Sequence, residues 1–286
     1  MRYDIAIIGS GPAGLSAAIN AKVRNKNIIV FGSSNLSEKI TKAPSVDNYL
    51  GLYNLTGEEL KNVFKHHIEE MDIKITEERI NNVYAMGDYF AIMANEKMYE
   101  ASAVIIATGI EYTKPIKGEE EFVGKGVGYC ATCDASLYRG KKVAIVSYNS
   151  EGEEEANFLV EIASKVYYIP MYKSEYNINE NIEIIKDVPL EVRGDISIDS
   201  LVLKKSELDV DGIFFIKNSI SPKYLVPGLE LEYGHIKVDR NMQTNIKGCF
   251  AAGDCIGKPY QYIKAAGEGQ VAALNAVSYL DNKKHS

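Results

Sequence analysis

Residues 3–14 read YDIAIIGSGPAG, and this stretch decides the fold class. Tyr3 to Ile8 is a short apolar β-rich run, Gly9-Ser10-Gly11-Pro12-Ala13-Gly14 is a glycine turn, and Leu15 to Arg24 continues with Ala-rich helical spacing. Strand, turn and helix in that order open a βαβ unit. Asn27 to Phe31 supplies its second strand, and Ala103 to Ala107, closed by Thr108-Gly109, is a later buried strand of a sheet that is parallel at its core. Glycines in this setting permit a tight turn and a close backbone approach to a pyrophosphate at the helix N-terminus. A turn with no ligand could use the same glycines, but strand, fingerprint and helix agree, which favours the nucleotide reading. No acid stands at the end of the second strand, where the chain reads Phe31-Gly32-Ser33, so an adenosine ribose has to be held some other way.

From Tyr112 to Gly118 the composition turns to Lys, Pro and Gly, and a second strand-turn-helix pattern starts at Lys141 with KKVAIVSYNSEGEEEANFLVEIA. Near Gly234 to Asp239 the chain becomes strand-like again. It then reaches Gly248-Cys249-Phe250-Ala251-Ala252-Gly253-Asp254 and a last Ala/Gly-rich helix from about Tyr260 to Leu280. Two βαβ openings in 286 residues imply an α/β protein of two Rossmann-like, three-layer ββα-type nucleotide-binding domains, the second inserted into the first. The expected boundaries are 1–113 plus 238–286 for the outer domain and 114–237 for the central one.

A net charge of −7 argues against a general nucleic-acid binder, which needs basic surface to neutralise phosphates. No apolar run approaches the length of a bilayer span, and Met1 to Asp4 leads straight into a strand with no signal-peptide pattern, so the expectation is a cytoplasmic protein without membrane residence. Four cysteines are too few for a disulfide scaffold. Cys249 and Cys255 read as small buried residues.

Cys130-Ala131-Thr132-Cys133-Asp134 is the most informative stretch, because thiols at this spacing can close a small disulfide ring and Asp134 is placed for proton transfer. A metal would need a second Cys or His pair, and His66, His67, His235 and His285 show no ligand spacing, so no metal site is expected. Two buried structural cysteines remain the other reading, opposed by the adjacent acid and by a lead-in, Gly126 to Tyr129, that reads as exposed. Farther on, Asp254 follows a small-residue strand end and is suited to bond a sugar-alcohol hydroxyl. The segment from Gln261 to Gly269 begins a helix whose N–H groups could stabilise negative charge.

The motifs GSGPAG, IIATG, CATCD and AAGD in this order resemble the low-molecular-weight thioredoxin reductases along nearly the whole chain. The resemblance implies FAD held by Gly9, Gly11, Pro12, Ala13, Gly14, Asn48, Thr108, Gly109, Gly253, Asp254 and Gln261. It assigns Cys133 to the flavin side, Cys130 to attack on thioredoxin and Asp134 to the general acid. It also implies a homodimer whose domains rotate to present the dithiol alternately to flavin and partner.

The second βαβ departs from that family. After Val143 to Val146 the turn reads Ser147-Tyr148-Asn149-Ser150-Glu151-Gly152 in place of a glycine fingerprint, and Glu151, Glu153, Glu154 and Glu155 crowd the helix start, where they would repel a pyrophosphate. After Val166 to Ile169, Pro170-Met171-Tyr172-Lys173-Ser174 lacks the paired arginines that grip a 2′-phosphate. Both phosphate sites are missing independently, so the chain resembles a ferredoxin-dependent flavin thioredoxin reductase, with ferredoxin as electron donor and thioredoxin as acceptor. Lys114, Lys117, Lys125, Arg139, Lys141 and Lys142 are candidates for an acidic partner's docking patch, or an ordinary solvated face. The alternatives are a flavin-containing redox sensor on the same fold and an NADPH enzyme with an atypical site.

Overall fold

The computed structural model describes residues 2–36, 38–41, 43–95, 97–110, 114–217 and 221–284. The expected domain boundary at 113 and His285 lie outside the described residues. Two compact units divide the chain: Met1–Ile110 with Ser221–Ser286, and Glu111–Ile220.

The first unit opens with β1 (Arg2–Ile8), α1 (Pro12–Val23) and β2 (Ile28–Phe31). β1 pairs in parallel with β2, Ile5 against Ile28 through Ile8 against Phe31. Pro12 occupies the first turn of α1, where its missing N–H costs nothing. A four-residue turn, α2 (Glu38–Thr41), leads to α3 (Gly57–Glu70), which starts in a capping box between Thr56 and Glu59. The two-residue β3 (Ile75–Thr76) extends the sheet beside β2, and β4 (Ile80–Ala85), β5 (Phe90–Ala94) and β6 (Lys97–Ile106) form an antiparallel meander. β6 is long enough to serve two purposes. Its first half pairs with β5, and Glu100 to Ile106 runs parallel to β1.

The second unit carries a five-stranded, all-parallel sheet ordered β10-β9-β8-β14-β7. Its elements are β7 (Val127–Gly128), α4 (Ala131–Asp134), β8 (Lys142–Ser147), α5 (Glu151–Leu159), β9 (Lys165–Pro170), β10 (Glu183–Ile184) and β14 (Gly212–Ile216). An antiparallel sheet of β11 (Pro189–Gly194), β12 (Ile198–Leu203) and β13 (Glu207–Asp209) covers one face, where Val192, Leu201 and Leu203 meet Ala144, Val146 and Phe215. On the other face α4 and α5 bury Ala131, Ala156 and Leu159 against Ile145, Tyr168 and Phe214. Alternate residues of β14 therefore serve opposite cores, as a doubly covered strand requires.

The chain then returns to the first unit through α6 (Pro222–Leu225), a hairpin of β15 (Leu231–Glu232) and β16 (His235–Ile236), β17 (Cys249–Ala251) and α7 (Tyr262–Lys284). β17 pairs with the second half of β6. α7 packs on α1 through small residues: a Cβ at Gly269 would lie 2.0 Å from the Ala13 carbonyl oxygen, so only glycine allows this approach. The return occurs at Ser221, whereas the sequence reading placed it at 238. Leu225, Val226, Leu229 and Ile236 account for the difference, being buried with Ala6, Ile8 and Val104 on the face of the first sheet opposite α1.

Candidate active site

In the first unit, the loops after β1, β6 and β17 converge. Gly9 adopts φ +121, and a Cβ there would lie 2.1 Å from the Ala107 carbonyl oxygen. Gly14 is equally constrained, since its Cβ would fall 1.8 Å from the Gly9 carbonyl oxygen. Gly11 has no atom within 4 Å of such a Cβ and caps α1 with no side-chain bond. Open space thus lies before a helix start whose first turn carries no acid, a setting that suits a pyrophosphate. The residues present fit the FAD that the motifs imply. Pro12 and Ala13 begin α1, and Thr108 and Gly109 continue from β6.

Gly253, at φ +88, brings β17 against Ala13, with Cβ positions 2.9 Å apart, and Asp254 begins the short turn that follows. Asn48 Nδ2 donates to Gln261 Oε1 at 2.8 Å, joining two expected cofactor residues 213 positions apart. Three supporting groups escaped the sequence reading. Buried Ser10 exchanges hydrogen bonds with Ser33, donating to its carbonyl and accepting its N–H, both at 3.0 Å. Glu268 accepts the Gly253 N–H at 3.0 Å, and its carboxyl is pushed up chiefly by burial, with Lys264 at 3.2 Å opposing. Glu77 accepts both the N–H and the hydroxyl of Ser34, which lowers its pKa, so β3 delivers to the end of β2 an acid that the second strand lacks. Only spatial neighbourhood, not spacing, could have revealed Glu77 or Glu268.

In the second unit, Cys130 and Cys133 are joined as a disulfide with Cα atoms 5.4 Å apart. Cys130 is the N-cap of α4, and its Sγ accepts the Cys133 N–H at 3.2 Å. Cys130 is buried and Cys133 exposed. Asp134 is half-buried, and burial holds its carboxyl above the usual range. The lead-in is not exposed as read: Val127 and Gly128 form β7, buried because they pair in parallel with β14. Cys249 and Cys255 are buried, and desolvation pushes each thiol up to about 12, so neither is a reactive thiolate.

The crevice outside the carboxyl ends of β8 and β14 is where a doubly wound domain receives a dinucleotide. Here the residues after β8 and β14 bond to one another. Ser147 Oγ donates to the Asn149 carbonyl at 2.6 Å, and the Tyr148 N–H donates to the Ile216 carbonyl at 2.8 Å. Lys217, which follows β14, is buried in an ion pair with Glu119 at 2.6 Å; the Tyr129 hydroxyl also donates to Glu119, at 3.1 Å. The rings of Tyr129, Tyr148 and Phe215 surround the Lys217 ammonium at 5.5 to 6.0 Å. After β9, the Tyr172 hydroxyl donates to Glu153, whose other oxygen accepts the Asn177 N–H at 2.9 Å. Among the candidate docking lysines, Lys117 pairs with Glu191 at 2.5 Å and Lys142 with Asp209 at 2.8 Å, so two of those charges are met locally.

A family model described as pyridine nucleotide-disulphide oxidoreductase matches residues 3–269. The chain belongs to this family. Among its relatives in the family, the thioredoxin reductase of Helicobacter pylori is 36% identical, covering 98% of this chain and 99% of its own. That of Bacillus subtilis is 30% identical, covering 98% and 95%. The solved structure of a ferredoxin-flavin thioredoxin reductase from Clostridium acetobutylicum is 62% identical, covers 98% of this chain and 99% of its own, and superposes with a TM-score of 0.94. The α/β fold with parallel sheets matches these two-domain reductases. The chain is therefore a flavin disulfide oxidoreductase of the thioredoxin reductase type, within a family of FAD-binding enzymes, and Cys130–Cys133 is its redox disulfide. Among the described residues no helix is long and apolar enough to cross a membrane.

Proposed function

We propose that this reductase takes electrons from reduced ferredoxin rather than from NADPH or NADH and passes them to thioredoxin through Cys130 and Cys133. The observation that supports this reading is the second unit's own bonding: the turn after β8 carries Tyr148 beside the Lys217–Glu119 ion pair where a glycine fingerprint would stand, and after β9 Tyr172 bonds Glu153 where paired arginines would stand. The name of the 62% identical neighbour from Clostridium acetobutylicum supports it. The energetics allow it. A plant-type ferredoxin near roughly −400 mV lies about 130 mV below a thioredoxin near roughly −270 mV, about 6 kcal/mol downhill for an electron pair.

FAD, when bound, supplies the means of gathering single electrons and releasing them as a pair. The protein's part is to hold it at Gly9, Gly11, Pro12, Ala13, Gly14, Asn48, Thr108, Gly109, Gly253, Asp254 and Gln261. Reduction of Cys130–Cys133 by two electrons and two protons gives two thiols. Cys130 then loses its proton to solvent and, as a thiolate, attacks one sulfur of the thioredoxin disulfide, whose S–S bond breaks, and the departing thiolate takes a proton from Asp134. Cys133, passing its proton back to the Asp134 carboxylate, next attacks Cys130 Sγ: the Cys130–thioredoxin bond breaks, the Cys130–Cys133 bond is restored, and the released thioredoxin thiolate takes a proton from solvent. The same reading takes the enzyme to be a cytoplasmic homodimer, in a compartment that keeps such a disulfide reducible.

Anaerobic mixing with each donor tests the supply. Reduced ferredoxin is expected to bleach the flavin band within the turnover time, while NADPH and NADH leave it unchanged; rapid bleaching by either nucleotide would refute nucleotide independence. The role of Asp134 has its own test. Because burial raises its pKa, its acid form persists to higher pH, and thioredoxin reduction is expected to fall as pH rises through that pKa. Asp134→Asn is expected to lower kcat by roughly 10²-fold and to erase that limb of the pH profile. A surviving limb would assign it to another group.

A further inference from the structure

Glu155 lies on α5, the helix that opens the vestigial nucleotide turn, yet its carboxylate points away from that turn's function. It accepts the backbone N–H of Ala131, the residue that follows Cys130 and begins α4. Cys130 Sγ keeps the Cys133 N–H at 3.2 Å and the Thr132 hydroxyl at 3.4 Å. Backbone N–H groups and nearby positive charge are what lower the cost of a cysteine thiolate. At this turn the N–H of the residue next to Cys130 is taken by a carboxylate, which brings negative charge to the Cys130–Ala131 peptide.

Among the described residues, the other groups around the turn are acidic, neutral or already paired, apart from exposed Arg139 and Lys141. Asp134 lies on α4 itself, and α5 adds Glu151, Glu153 and Glu154 in its first turn, Glu153 being bonded to Tyr172. The turn after α4 brings Tyr138, neutral because burial raises its pKa, with Lys141 5.5 Å from its ring and Arg139 exposed next to it. On the β14 side, Phe214 is apolar, Asp211 precedes the strand, and Lys217 is neutralised by Glu119. Beside β7, the Tyr129 hydroxyl donates to Glu119.

We propose that Glu155 is a positioning residue for the redox centre: it pins the Cys130–Ala131 peptide and shifts the resting, reduced Cys130 toward the protonated thiol, leaving the attacking thiolate as the minor form. The consequence is protection, since the thiolate is the form that small oxidants attack. The inference rests on the proposed role of Cys130 as electron exit, but its test does not, because titration of the thiol reads the same whatever reduces or oxidises it.

The experiment uses the full FAD-loaded chain carrying Cys133→Ser, so that Cys130 is followed alone, and measures its alkylation by iodoacetamide as a function of pH by mass spectrometry. Adding Glu155→Gln keeps a carbonyl oxygen for the Ala131 N–H and removes the charge. The alkylation midpoint is expected to fall by about one pH unit, which is roughly tenfold faster alkylation below the parent midpoint. Glu154→Gln, an exposed neighbour on the same helix, is expected to leave the midpoint in place. A purely mechanical pin would leave it in place for Glu155→Gln as well, and that result overturns the proposal. Should Glu155→Gln not fold, Glu155→Asp withdraws the charge by one methylene: a smaller shift in the same direction supports the proposal, and an unmoved midpoint overturns it.

Discussion

Cys130→Ser and Cys133→Ser are each expected to lower thioredoxin reduction by at least about 10³-fold, because removing one member of an essential nucleophilic unit costs nearly as much as removing the whole. Flavin content should stay at the level of the parent protein, since the glycine cradle belongs to the other unit. The two variants differ in what they trap. With thioredoxin, Cys133→Ser should accumulate a mixed disulfide through Cys130 that nothing resolves, and Cys130→Ser should not, which intact-mass measurement distinguishes. The structure makes this a sharp question, because Cys130 is only 7% exposed while Cys133 is exposed. A mixed disulfide through Cys133 instead would reverse the assigned roles, and turnover within tenfold of the parent in either variant would remove the dithiol from the electron path.

Gly14→Val is expected to yield colourless protein. The first carbon of any side chain at this position would fall 1.8 Å from the Gly9 carbonyl oxygen, so the turn must open, and with it the approach of backbone N–H groups to a pyrophosphate. The strain alone costs about 3 kcal/mol, the upper range for an overpacked core, and the lost cofactor removes the stabilisation that ligand binding provides. Absorbance of the flavin band per chain and a thermal melt check both effects. Purification with a full complement of flavin would show that the cradle lies elsewhere.

Much of the fold was legible because its signals are local. The Gly9 to Gly14 turn appears where strand, glycines and Ala-rich helix required it, and α7, β8 and β9 lie within a few residues of their expected ranges, whereas β6 begins at Lys97 and the reading caught only its second half from Ala103. Two-residue strands were not legible. Val127–Gly128 carries no alternation to read, and its burial comes from β14, more than eighty positions later. Residues 221–237 were assigned to the central domain for the same reason: their apolar side chains are too few to announce a partner, and packing against Ala6, Ile8 and Val104 decides where they go.

The glutamates of α5 show where reading by sequence stops. As a run, Glu151 to Glu155 reads as one repulsive patch at a helix start. An α-helix turns about 100° per residue, however, so Glu153 and Glu155 leave it in different directions and meet different partners, Tyr172 beyond β9 and the Ala131 N–H at the dithiol. Sequence by itself determined the two βαβ openings, the first glycine turn, the disulfide turn and the lack of a second glycine fingerprint, because each depends on backbone geometry encoded within a few positions. Tertiary structure alone decided what the residues after β8 and β9 bond to and what surrounds the dithiol. Lys217 finds Glu119 across 98 positions and Asn48 finds Gln261 across 213. Contacts at such separations are set by how sheets and helices pack, and no local pattern records them.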